Sequence, residues 1–282
     1  MKKILLSVLL VLLTVSVSAQ RNQRSQRNQR VQAQQTADYV TDDNIFYSQN
    51  TDAYSLDRCV LDVYYPTKMA NCPVIVWFHG GGLTSGNKFI PEQLKNSGYV
   101  VVAANYRLMP RVEVTQCIDD AAAAVAWVFK NISKYNGDPD NIYVSGHSAG
   151  GYLTSMIGLD KAYLSKYGID ADRLAALIPF SGQVMTHYEY RTRHGGSALQ
   201  PTIDDTAPIA HLRADGPPYV IVSGDRNLEL YGRYEENAYM WRMMKLIGHE
   251  QTYIYELDGY SHAAMATPAF HILKQYVTEA RL

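Results

Sequence analysis

Cysteine is scarce in this chain. Its 282 residues include three, too few for a disulfide framework. Cys59 and Cys72 begin successive β-favouring runs, which reads as a hairpin with the two thiols at its opposite ends. Cys59, Cys72 and Cys117 are therefore expected as buried thiols acting as small hydrophobes. An excess of either charge is also lacking. Lys and Arg number 26 against 27 Asp and Glu, for a net charge of -1 and a pI near 6.7. That balance excludes nucleic acid or an acidic membrane surface as the main partner. No His-x-x-x-His or Cys-x-x-Cys occurs, so no metal site and no cofactor are expected. No internal repeat is visible.

What is present begins with Lys2-Lys3 and an apolar run from Ile4 to Leu13. The run is too short for a membrane span. With Val17-Ser18-Ala19 as the small residues of a cleavage site, residues 1–19 read as a signal peptide. The expectation is an exported protein, periplasmic or secreted, with no stable membrane insertion after cleavage. Residues 20–50 read as a disordered linker rich in Gln, Arg and Asn, because Gln20 to Thr36 has no apolar period and cannot bury a core. Residues 51–282 then form one domain, an ordinary size for a single core at 47% hydrophobic content.

The domain is organised around Gly146-His147-Ser148-Ala149-Gly150-Gly151. The β-favouring run Ile142 to Val144 precedes it, and the helix-compatible run Tyr152 to Leu159 follows. Strand, sharp turn and helix with Ser at the tip make a nucleophile elbow, whose glycines avoid collisions with the flanking elements. Around it, apolar runs at Arg58–Tyr65, Pro73–Phe78, Tyr99–Ala104, Leu174–Phe180, Tyr219–Ser223 and Gln251–Leu257 read as strands. Val114–Tyr135, Tyr231–Ile247 and Pro268–Thr278 read as helices, Pro91–Asn96 as a short one, and Asp138–Asn141 as a turn into the elbow strand. Alternation of the two predicts an α/β class: a mostly parallel central sheet with helices on both faces. Ligands of such sheets sit past the carboxyl ends of the strands. His79, Ser148, Asp225 and His262 all fall there.

His79-Gly80-Gly81-Gly82 follows a strand read as fully buried. The N–H groups of Gly81 and Gly82, with that of Ala149, can form an oxyanion hole for an acyl group attacked by Ser148. His79 braces this loop. His262 follows the last strand and is the candidate base, which needs an acid on its second ring nitrogen. His187, His194 and His211 lie in or beside Ser181–Leu212, read as an insertion over the active edge, where substrate contact is expected. Glu235 and Glu236 are read as a solvated face or as partners for arginines.

Four segments, His79 to Gly82, Asn105 to Pro110, Asp119-Asp120-Ala121-Ala122 and Gly146 to Gly151, resemble the α/β-hydrolase fold. More narrowly they resemble hormone-sensitive-lipase-type esterases and the related feruloyl- and acetyl-esterase-like (BD-FAE-like) serine esterases. The resemblance covers roughly Ser55 to Leu282 and implies Ser148 as nucleophile, a C-terminal His as base and an acid between them. The family commonly places its Asp three residues after the glycine that ends the preceding strand; here that position is Asn227. Asp225 is favoured as the acid because it leaves the strand directly, with Glu229 as the alternative. Asp225 can also simply bond backbone amides in its turn.

The mouth residues His79, His147 and Tyr188 are candidates for substrate binding. Export, a polar and aromatic mouth and no long apolar lid point to short or aromatic acyl esters, such as acetyl or feruloyl groups on carbohydrate. The expected partner is a small-molecule or saccharide ester. An amidase, arylformamidase or peptidase with the same triad, and a non-catalytic binding protein of the same fold, are the competing readings.

Overall fold

The computed structural model describes residues 38–230 and 232–279. The expected signal peptide and the segment Gln20 to Thr36 lie outside them. Eight strands form one sheet in the order β1-β2-β4-β3-β5-β6-β7-β8. These are β1 (Tyr39–Phe46), β2 (Val60–Pro66), β3 (Cys72–Phe78), β4 (Val100–Ala104), β5 (Gly137–His147), β6 (Ala176–Phe180), β7 (Tyr219–Gly224) and β8 (Thr252–Leu257). β1 and β2 run antiparallel, as do β2 and β4, and every later pairing is parallel.

β3, β4, β6 and β7 are buried along their whole length. That is why they read as unbroken apolar runs: helices cover both faces, so neither face has to be polar. The two-residue strand period sorts their side chains into two cores. Val74, Val76 and Phe78 join one core, with α2 (Val114–Asn131) and α3 (Ala149–Leu159). Ile75 and Trp77 join the other, with Phe270 and Leu273 of α7 (Ala266–Glu279). The short α1 (Ala53–Arg58), α4 (Lys161–Ser165) and α5 (Tyr188–Arg193) and the longer α6 (Arg233–Leu246) complete the helices used below.

Several expectations change. β1 falls inside the stretch to residue 50 read as linker. Its burial is slight, since five of its residues are exposed, so it carries no apolar run to betray it. Its pairing with β2 is interrupted by a register shift between Asp42 and Ile45. β4 lies between β2 and β3, so Cys59 and Cys72 do not belong to a hairpin. All three cysteines are nevertheless buried thiols, and burial pushes Cys59 and Cys117 up to about 12. Residues 138–141 are not a separate turn. They bulge from β5, since Cys72 pairs Gly137 while Val74 pairs Ile142. Among the described residues no helix is long and apolar enough to cross a membrane.

Past β4 the chain is fixed by a buried ion pair. The Arg107 guanidinium donates to both carboxylate oxygens of Asp120 on α2, at 2.8 and 2.7 Å, and the Arg107 N–H adds a third bond at 3.0 Å. Removing one partner strands a buried charge. Asp120→Ala is therefore expected to cost about 3–5 kcal/mol, read as a lower urea midpoint. An unchanged midpoint would show that other contacts hold this loop.

Candidate active site

Ser148 sits between β5 and α3 with φ 56° and ψ −114°. Positive φ is strained for a residue with a Cβ, by about 1–3 kcal/mol. Backbone packing enforces it. A Cβ on Gly150 would lie 2.1 Å from the Phe78 carbonyl oxygen, and one on Gly146 would lie 2.6 Å from Gly150 backbone atoms. The Ser148 N–H donates to the Phe180 carbonyl at 2.8 Å. Ala149 is the first residue of α3, and the first N–H groups of a helix have no intrahelical acceptor.

The glycine loop lies against this tip. A Cβ on Gly80 would come within 3.3 Å of the Ser148 Cβ. The N–H groups of Gly81, Gly82 and Ala149 thus remain the candidate oxyanion donors. His79 does not face substrate. It is 2% exposed, stacks on Tyr106 with ring centroids 4.5 Å apart, and its Nδ1–H donates to the Gly80 carbonyl at 2.7 Å. Burial lowers its pKa to about 4, so it stays neutral. Arg58 ties the same loop through the carbonyls of Tyr106 and Gly86. His79 is corrected from a substrate contact to a brace, as its place before three glycines also suggested.

His262 Nδ1 lies 2.7 Å from Glu229 Oε2. That contact corrects the preference for Asp225. The Asp225 carboxylate instead accepts the N–H groups of Asn227 and Gly259, both at 2.8 Å, and these bonds lower its pKa. Its carbonyl accepts the N–H groups of Leu228 and Glu229. One helical turn of chain thereby brings Glu229 back to His262. The Glu229 side chain is 1% exposed. Burial raises its pKa, but bonds from His262, Ser181 and the Gly224 N–H outweigh that and hold it at about 2.

His147 also differs from expectation. Its Nε2–H donates to the His262 carbonyl at 2.7 Å, and the two rings lie 4.8 Å apart. Burial, then the proximity of His262, lowers its pKa to about 4. It holds the His262 backbone beside the elbow. Tyr188 is placed at the mouth, because a methyl group on Gly82 would come within 2.7 Å of its hydroxyl. The insertion therefore reaches the glycine loop. His187 does not offer itself to substrate: it is 1% exposed, and its Nδ1 accepts the Glu189 N–H. His211 Nε2 donates to the Asp205 carbonyl. Glu235 is exposed, whereas Glu236 is buried and paired with Arg233 at 3.0 Å.

Ser181 and Arg233 were not singled out from the sequence. Ser181 donates to Glu229 Oε1, and Arg233 donates to the Ser181 carbonyl. The available signal was position alone: Ser181 directly follows β6 on the active edge. Among the described residues no cluster of three or more His, Cys, Asp or Glu could hold a metal ion.

A family model described as BD-FAE matches residues 61–229, more than half of the chain. The chain belongs to the BD-FAE family. Among curated proteins, the probable carboxylic ester hydrolase LipM of Mycobacterium tuberculosis is 32% identical over 217 residues, 66% of this chain and 48% of that protein. Esterase LipC of the same organism is 25% identical over 257 residues, 78% of this chain and 62% of that protein. The chain spans about half the length of the curated relatives it matches. A solved structure described as a truncated carbohydrate esterase from gut microbiota aligns with a TM-score of 0.68 at 19% identity, over 86% of this chain and 96% of that one. The propionate-bound esterase Est2 of the Planctomycetes species Thermogutta terrifontis aligns at 0.65 and 22% identity, over 88% and 95%. At these identities the likeness shows a shared α/β-hydrolase fold.

A depressed carboxylate ties stability to pH. The folded protein holds Glu229 near 2 against an ordinary value of 4.5. Its contribution is complete above about pH 4.5 and is lost as pH falls towards 2. At neutral pH it is on the order of 3 kcal/mol. Urea midpoints of the native protein and of Glu229→Gln should differ at pH 7 and converge as the pH is lowered. A gap that stays constant with pH would rule out this bonded carboxylate as its source.

Proposed function

We propose that this protein is an exported serine-type carboxylic ester hydrolase that removes short or aromatic acyl groups from carbohydrate. The observation that carries the reading is the 2.7 Å contact between His262 Nδ1 and Glu229, with His262 held beside the strained Ser148 turn by His147. A buried carboxylate at Nδ1 fixes the proton there and leaves the Nε2 lone pair to act as base.

In this mechanism Ser148 Oγ attacks the ester carbonyl carbon while His262 Nε2 takes the hydroxyl proton. The carbonyl becomes an oxyanion, bonded by the N–H groups of Gly81, Gly82 and Ala149. Glu229 stabilises the imidazolium. Collapse of the tetrahedral species expels the alcohol, which takes the proton from His262, and leaves the acyl group on Ser148. Water, deprotonated by His262, then attacks the acyl-enzyme, releases the acid and restores Ser148.

The names of the relatives support ester hydrolysis. The carbohydrate esterase among the fold neighbours, the half-buried Tyr188 at the mouth and the N-terminal leader pattern support an exported enzyme acting on saccharide esters.

The test is hydrolysis of 4-nitrophenyl acetate by the mature chain. Ser148→Ala should lose at least about 1000-fold in kcat. Glu229→Gln should lose roughly 1000- to 10,000-fold, by analogy with the wrong tautomer of a triad histidine. Asp225→Ala should lose much less, since its carboxylate serves backbone amides. Equal turnover by Ser148→Ala would mean a different nucleophile. Absent ester turnover with cleavage of N-formyl anilides would favour an amidase. Equal rates on acetyl and long-chain esters would count against short acyl groups.

A further inference from the structure

The tripeptide Phe180-Ser181-Gly182 joins parts of the site that arrive from distant places in the chain. The Phe180 carbonyl accepts the Ser148 N–H at 2.8 Å. Gly182 lies directly under the elbow helix, where a Cβ on Gly151 would meet its Cα at 2.8 Å. Between them Ser181 is 0% exposed and has φ 44°, a conformation that costs a side-chain-bearing residue free energy and persists only where its surroundings over-determine it.

Those surroundings are specific. The Ser181 N–H donates to the Val222 carbonyl at 2.7 Å. Its carbonyl accepts from the Arg233 guanidinium, which is itself paired with Glu236. Asn237 on the next turn of α6 donates to the Gly182 carbonyl at 2.9 Å. Fixed in this way, the Ser181 hydroxyl donates to Glu229 Oε1 and receives the Gly224 N–H at 3.4 Å.

We propose that Ser181 is the positioning residue for Glu229, setting the carboxylate that orients His262 from the same tripeptide that seats Ser148. The inference rests on the reading of Glu229 and His262 as acid and base. Glu229 Oε2 is bonded to His262 Nδ1 and the Leu230 N–H. Oε1 is held by Ser181 and by the Gly224 N–H at 2.9 Å. Removing the hydroxyl leaves Oε1 with the backbone donor alone, so the carboxylate plane can rotate and the His262 tautomer is less firmly fixed. The same strand end leads into the insertion that carries Tyr188, so the acid and the mouth share one anchor.

Ser181→Gly separates the hydroxyl from the strain, because glycine adopts positive φ without penalty. Ser181→Ala removes the hydroxyl and keeps the strain, and serves as the second variant. For Ser181→Gly we expect kcat on 4-nitrophenyl acetate to fall about tenfold, the equivalent of one lost bond to a charged group. KM should be unchanged, and the far-ultraviolet circular dichroism that of the native protein. The His262 Nδ1–H resonance, assigned by its absence in His262→Asn, should move or broaden.

A fall in kcat with that resonance unmoved would overturn the proposal, as would a moved resonance with kcat unchanged. A rise in KM alone would place Ser181 with substrate instead. If the native protein shows no ester turnover, the esterase reading fails on its own, and the resonance still decides whether Ser181 holds Glu229.

Discussion

Backbone packed on backbone is the constraint on which the site depends. Where Gly150 passes the Phe78 carbonyl there is no room for a Cβ, and that closeness forces the turn that exposes Ser148. The free energy for this strain comes from the two cores on either side of the sheet, whose strands are buried throughout. A strained tip on a rigid base fixes the angle at which Ser148, the proposed nucleophile, leaves the sheet. Positioning of this kind matters for catalysis because small displacements of reacting groups carry large rate penalties.

Around that turn, buried polar groups hold the loops. Arg107 with Asp120, Arg233 with Glu236, and Glu229 with His262 are each charge-bearing and largely enclosed. Buried pairs are weak contributors to net stability and severe when broken. Their value here is geometric. Each clamps a loop that follows a strand end, on the edge where the proposed catalytic residues lie. His79 and His147 are held neutral by burial and serve as uncharged struts.

Much of this was legible in the sequence, for reasons that can be given residue by residue. β3, β4, β6 and β7 announced themselves because strands covered on both faces are apolar without interruption. The elbow did so because only glycine fits its close approaches. β1 did not, since its residues are mostly exposed. The hairpin expected of β2 and β3 failed because adjacency in sequence does not disclose a third strand, β4, inserted between them. The acid was ambiguous for a similar reason. Asp225 and Glu229 both follow β7, and the hydrogen bonds from Leu228 and Glu229 to the Asp225 carbonyl decide which carboxylate turns back. Ser181 carried no signal beyond its place, because its role depends on Arg233 of α6, 52 residues later.

The irregular first strand bears on what can add to the sheet. An edge strand offers unpaired N–H and C=O groups to any other extended chain. Among the described residues β1 is one of the two edges of this sheet, yet its ladder is broken between Asp42 and Ile45, and Asn44 there takes φ 56°. Adjacent carboxylates at Asp42 and Asp43 sit on the exposed stretch. A kinked, negatively charged border is a poor template for another strand.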